Sequence, residues 1–248
     1  MCQSEAWRVR PLLRLAAVGL ALGAVPSPLI AVQQADSGAG AELDAGRFQI
    51  VVDGAPIGME VFAIRRVGTK VRAVGRFQVE DGKDPWWPYE VRMQTNADLE
   101  PEIYELRYLA GPSQTVVGRR TESGLMIHTA TDAGERFKEF GTGSGTLILE
   151  RGAAHHFVLL ILRLASGGGG VQGGTVPVIV PSENRATTAR VRRLGDATRT
   201  IGGRQVAVTR YEVQLDSGVA EVWVDSGGRV LRVAMPDNGW QATRTEGE

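Results

Sequence analysis

Two copies of Asp-Ser-Gly, Asp216–Gly218 and Asp225–Gly227, supply the residue type that an acid dyad of the aspartic-peptidase kind uses. In such a dyad two carboxyl groups in near contact share one proton, because like charges that close cannot both ionise. Asp216 and Asp225 instead stand at opposite ends of one alternating run, about 25–30 Å apart by strand rise. They read as hairpin turns: Asp bonds backbone two residues on, and Gly accepts positive φ.

The histidines are His128, His155 and His156. Neighbours on a helix point about 100° apart, and no Cys or acidic cluster supplies the remaining ligands of a zinc site, so a cap or loop role is expected. Gly141-Thr-Gly-Ser144-Gly145 comes near the G-x-S-x-G elbow of serine hydrolases. That elbow opens a helix, whereas Thr146–Glu150 reads as a strand. The run Gly167–Gly174 lacks the Lys-Ser/Thr and the following helix of a phosphate cradle, and reads as a linker. Trp86 and Trp87, bracketed by Pro85 and Pro88, either rim a ligand mouth or fold back on the sheet. No catalytic residue, metal or cofactor is expected, and the protein reads as non-enzymatic.

The elements that would position these residues are strands. Residues 206–233 hold three alternating runs separated by the two Asp-Ser-Gly turns, an antiparallel meander. Phe48–Val52, Ile57–Arg66, Lys70–Glu80, Tyr89–Thr95 and Glu102–Leu109 alternate likewise. In Lys70–Glu80, Val71, Ala73, Gly75, Phe77 and Val79 share one face. Turns recur about every 8–12 residues, as in a sandwich, barrel or half-barrel. Thr175–Val180 and Ala189–Leu194 add strands, and Trp240–Arg244 a last short one. The exception is Ala153–Ala165, where Phe157, Leu160, Ile161 and Leu164 follow helical spacing and the segment is apolar nearly all round. A buried helix, lying in the concave face of a curled sheet, is expected.

The chain has 248 residues, 43% hydrophobic and 23% charged, which is ordinary for a globular protein. Its 32 glycines suit many turns joining short strands. Lys and Arg number 28, as do Asp and Glu. With no dense basic patch, a nucleic-acid partner is excluded. Arg8, Arg10 and Arg14, then apolar Leu15–Val25 and small residues near Ala31 or Ala35, read as an export signal over residues 1–35, with an uncleaved anchor as the alternative. Residues 36–46 are expected to be a disordered leader and 47–245 a single β domain, with 166–174 a flexible loop. Cys2 is the only cysteine; it precedes the apolar run, so no lipid anchor or disulfide is expected. No later stretch is long enough for a membrane-spanning helix.

Several patterns stand in a familiar order: Phe48-Gln-Ile-Val-Val-Asp-Gly with Ile57-Gly58, Leu99-Glu-Pro101 with Tyr104, the Leu-rich segment near Leu160, Pro177-Val-Ile-Val-Pro181, Glu221-Val-Trp-Val-Asp225, Arg229-Val-Leu-Arg-Val233 and Gly239-Trp240. Over about residues 46–244 the chain resembles a family of exported bacterial proteins of unknown function, with sheets similar to the curved half-barrel of LolA-like lipoprotein carriers. The resemblance implies a curved antiparallel half-barrel or open barrel around a helix or cavity, in the periplasm or outside the cell. A lipid or other hydrophobic ligand, or an envelope protein partner, is then expected at Trp86, Trp87, Tyr89, Tyr104, Phe157, Leu160 and Trp223. The rival is a structural module whose core its own side chains fill. If Trp223 points inward, the meander forms one wall of whatever the sheet encloses.

Overall fold

A computed structural model describes residues 40–80, 86–111, 113–166, 171 and 173–245. Among these, the chain lays down β1 (Ala41–Val52), β2 (Ala55–Val67), β3 (Lys70–Val79), β4 (Tyr89–Thr95), β5 (Pro101–Tyr108), β6 (Gln114–Arg120), β7 (Gly124–Thr131) and β8 (Gly134–Gly141). After β9 (Leu147–Ile148) and helix α1 (Ala154–Ala165) come β10 (Gly173–Val180), β11 (Arg185–Ile201), β12 (Arg204–Leu215), β13 (Gly218–Asp225), β14 (Val230–Met235) and β15 (Trp240–Thr245). All 15 strands form one mostly antiparallel sheet, ordered β8 down to β1, then β15 down to β9.

The first and last strands are therefore neighbours, paired from Arg47 with Thr245 to Val52 with Trp240. The two edges, β8 and β9, are consecutive in the chain and joined only by residues 142–146. Across that gap Lys138 Nζ donates to the Asn184 carbonyl at 3.0 Å. The sheet thus curls nearly round on itself without the ladder that would close a barrel.

Strand alternation decides which side faces in. Val71, Ala73, Gly75 and Phe77 of β3 are buried, as are Val91 and Met93 of β4, while Arg72, Arg92 and Arg107 stand exposed on the convex side. A lipid-facing band does not carry such charges. Among the described residues no helix is long and apolar enough to cross a membrane. The Leu-rich segment forms α1, and Ala154 to Ile161 are all buried against the concave face. Burial of each large apolar side chain stabilises by about 1.5–3 kcal/mol.

Both Asp-Ser-Gly copies are turns. Asp225 Oδ1 accepts the backbone N–H groups of Gly227 and Arg229, both at 2.9 Å. Asp216 Oδ2 accepts the Thr187 hydroxyl at 2.5 Å.

Four expectations need correction. Residues 41–46, expected in a disordered leader, belong to β1 and pair with β2. There Arg244 donates to Asp44 Oδ1 and Oδ2 at 2.5 and 3.1 Å and to the Ala45 carbonyl at 2.6 Å, and packs over the Phe48 and Phe62 rings. Of the expected loop 166–174, Ser166 ends α1 and Gly173 and Gly174 open β10, while residues 167–170 and 172 lie outside the described residues. Thr146–Glu150 is strand only at Leu147 and Ile148, pairing in parallel with β10. Trp223 points outward: Ala220, Val222 and Val224 take the inner face, and the indole donates to Glu221 at 2.6 Å beneath Arg232. The export signal expected over residues 1–35 lies outside the described residues.

Candidate functional site

Glu60 sits on the inner face of β2, fully buried, in phase with Phe62 and Ile64. It caps the N-terminus of α1, where backbone N–H groups lack intrahelical partners. Its Oε2 accepts from Ala154 N at 3.0 Å and Oε1 from His155 N at 2.8 Å. Oε1 also faces His155 Nδ1 at 3.0 Å; because a carboxylate only accepts, that nitrogen carries the proton. The Tyr89 hydroxyl lies 3.0 Å from both Glu60 Oε2 and the Gly152 carbonyl, its one proton shared between them.

A second buried acid, Glu150, precedes the helix. Its Oε2 accepts from the Tyr104 hydroxyl at 3.1 Å and Ser182 N at 3.1 Å, and its Oε1 from Arg151 N at 3.0 Å and from the Ser182 hydroxyl. Its own N–H donates to His156 Nδ1 at 2.8 Å. The acceptor role of Nδ1 puts the proton of neutral His156 on Nε2. The Nε2 atoms of both His155 and His156 are buried without a partner among the described residues. The His155 ring fits only because residue 75 is glycine: a Cβ there would stand 2.2 Å from His155 Cε1. Rings stack from Phe48 to Phe62 to His155, at centroid spacings of 5.2 and 6.3 Å, and then meet edge to face from His155 to His156 to Tyr104, at 4.4 and 6.2 Å.

Burial dominates the electrostatics. It pushes the Tyr89 and Tyr104 hydroxyls well above their ordinary range, assisted by Glu60 and Glu150 respectively. Burial likewise raises Glu150, and it drives His156 well below 6.5, with His155 adding to the shift. A His156 that is neutral when folded contributes its stability in full above pH 6.5 and loses it as the pH falls below. Glu150, raised when folded, works oppositely, contributing at low pH and losing that contribution above its ordinary value of 4.5. Protonating His156 also sets Nδ1–H against the Glu150 N–H, donor against donor, so the histidine wins. The urea midpoint is expected to fall from about pH 7 to about pH 5. His156→Gln, which keeps an acceptor but does not titrate, should flatten that fall; an equally steep fall in the variant would remove His156 as its cause.

Above this bracket, at one end of the curled sheet, lies a cavity of about 430 Å³. Ile50, Ile57, Phe77, Trp86, Trp87, Tyr89, Tyr108, Met235 and Trp240 give it apolar walls, and Gln114, Arg151, Gly152, Ser182, Glu183 and Asn238 its polar ones. Trp86 is half-buried against the core; Trp87 is 38% exposed and lies over Gly111. Of the residues singled out from sequence, Trp86, Trp87 and Tyr89 thus line one space. Tyr104 is held in the bracket, Leu160 and Phe157 lie in the core, and Trp223 is on the opposite face. Glu60 and His155, the pair that resembles acid–base machinery, do not line the cavity. Their geometry ties helix to sheet. Among the described residues no group of three or more His, Cys, Asp or Glu is placed to hold a metal ion.

No family model matches the chain, and no curated protein matches it. Among solved structures it is similar to a beta-barrel-like protein of a domain of unknown function, DUF1849, from Brucella abortus, at 11% identity and a TM-score of 0.44. The match covers 82% of this chain and 95% of that one.

Proposed function

We propose that the protein is a non-enzymatic binding module of the cell envelope that takes a hydrophobic or lipid-like ligand into the cavity at the end of its curled sheet. The observation that carries this reading is the cavity itself: about 430 Å³, walled by Trp, Tyr, Phe, Ile and Met with a few polar groups to one side. Its size suits a small ligand or one acyl chain. The concave face is occupied by α1, so the ligand space lies beyond the helix N-terminus. The envelope location rests on the arginine-led apolar run at residues 8–25.

One observation favours the rival, a structural module: α1 fills the concave face with residues that are almost wholly buried. Titration with a neutral apolar fluorophore, N-phenylnaphthylamine, separates the two. Saturable uptake is expected, weakened roughly tenfold, or about 1.4 kcal/mol, by Met235→Trp, which fills the cavity from its wall. No saturable uptake by the wild type, or full uptake by the filled variant, would leave the structural reading standing.

A further inference from the structure

Arg151 is the feature of the cavity wall that neither the fold nor the buried bracket uses. It stands exposed on the turn between β9 and α1. That turn is fixed on both sides: Arg151 N donates to Glu150 Oε1 at 3.0 Å, and the Gly152 carbonyl accepts from Tyr89 at 3.0 Å. Gly152 takes φ of 80°, a conformation side chains resist. The base of the Arg151 side chain is therefore held at the cavity while its guanidinium has no carboxylate partner among the described residues. The other charged wall residue, Glu183, is held by Arg185 at 2.7 Å. Glu150 points its oxygens at Tyr104, Ser182 and backbone.

We propose that the ligand is a single-chain amphiphile with a carboxylate head, bound head-first by the Arg151 guanidinium while its chain lies against Trp86, Tyr89 and Trp240. This rests on the reading of the cavity as a ligand site. The planar guanidinium fork matches a carboxylate in two parallel hydrogen bonds, stronger than neutral ones, beside a low-dielectric wall. One cation without a carboxylate partner among the described residues balances one negative charge, and the wall offers no second one, since Arg185 is engaged by Glu183. Arg151 likewise opposes a quaternary ammonium head, which the tryptophans and tyrosines alone would welcome.

The whole chain should be titrated with dodecanoate, dodecanol, dodecyltrimethylammonium and dodecyl phosphate, using the fluorescence of Trp86, Trp87 and Trp240 as the signal. Dodecanoate should bind roughly tenfold more tightly than dodecanol, and more tightly than the ammonium and phosphate amphiphiles. Arg151→Gln should erase the difference between acid and alcohol without weakening the alcohol, and Arg151→Lys should restore part of it. Because Arg151 is exposed and its guanidinium has no carboxylate partner among the described residues, the variants keep the wild-type circular dichroism. Equal affinity for acid and alcohol, tighter binding of the ammonium or phosphate, or an unchanged preference in Arg151→Gln would overturn the head-group assignment and leave the cavity a ligand site. Absence of saturable binding by all four amphiphiles would remove the ligand site itself.

Discussion

Replacing Glu60 with alanine lowers the stability of the protein by about 3–5 kcal/mol, enough to unfold a marginally stable domain. Truncation leaves the Ala154 and His155 backbone N–H groups, His155 Nδ1–H and the Tyr89 hydroxyl without the acceptor they share. Each buried donor left unpaired costs about 1–3 kcal/mol, and Tyr89 alone keeps a second acceptor in Gly152. The loss is concentrated at the start of α1, where no side chain from the helix itself caps these buried N–H groups. Glu60→Gln keeps one oxygen and turns an NH2 toward donors, so it falls between alanine and wild type. Urea unfolding followed by tryptophan fluorescence measures all three. A Glu60→Ala midpoint equivalent to within about 1 kcal/mol of wild type would show that the bracket does not hold the helix.

The curled sheet is legible because its cause is local. Period-two alternation over β3, β4 and β13 fixes which residues face in, and Asp-Gly or Asp-Ser-Gly turns fix the reversals from β1 to β2, β12 to β13 and β13 to β14. Closure is not local. The seam joins β1 to β15, and Asp44 finds Arg244 only at the far end of the chain, so Ala41–Gly46 alone gives no reason to be ordered. Helix α1 is visible in the spacing of Phe157, Leu160, Ile161 and Leu164, because burial on nearly every side leaves an apolar sequence.

The bracket left two signals that alternation carries. Glu60 shares the phase of Phe62 and Ile64, a carboxylate aimed into a core, and Gly75 shares the phase of Ala73 and Phe77, a gap where another group approaches closely. Neither signal names its partner, since the helix that fills the gap lies about eighty residues on. Trp223 follows the same logic in reverse. It shares a phase with Glu221 and Asp225, while Ala220, Val222 and Val224 take the other, so the outward position was readable from its own strand. The Trp86–Trp87 pair is marked in the sequence by its flanking prolines. The opposite wall of the cavity, Met235 and Trp240, comes from the end of the chain and needed the seam to bring it there.

Introducing aspartate at Leu160 abolishes cooperative folding. Leu160 is fully buried on α1, and the helix at that level is enclosed on every side, with Phe157, Val158, Leu159 and Ile161 each no more than 2% exposed. A carboxylate there has no route to water, and burying a charge without a partner costs several kcal/mol beyond the 2–5 kcal/mol of the lost apolar side chain. Leu160→Met, nearly volume-conserving, should instead stay within about 1.5 kcal/mol of wild type. The comparison matters because a helix that served as a removable lid over a ligand groove would show the reverse: the aspartate variant would remain folded, open the concave face and bind more apolar fluorophore. Deleting residues 153–165 makes the same distinction more severely, since it also strips Glu60 of its helix donors. With Glu60 clamping its first turn and the sheet enclosing its middle, α1 belongs to the core, and the proposed ligand space is confined to the cavity beside Arg151, beyond the helix.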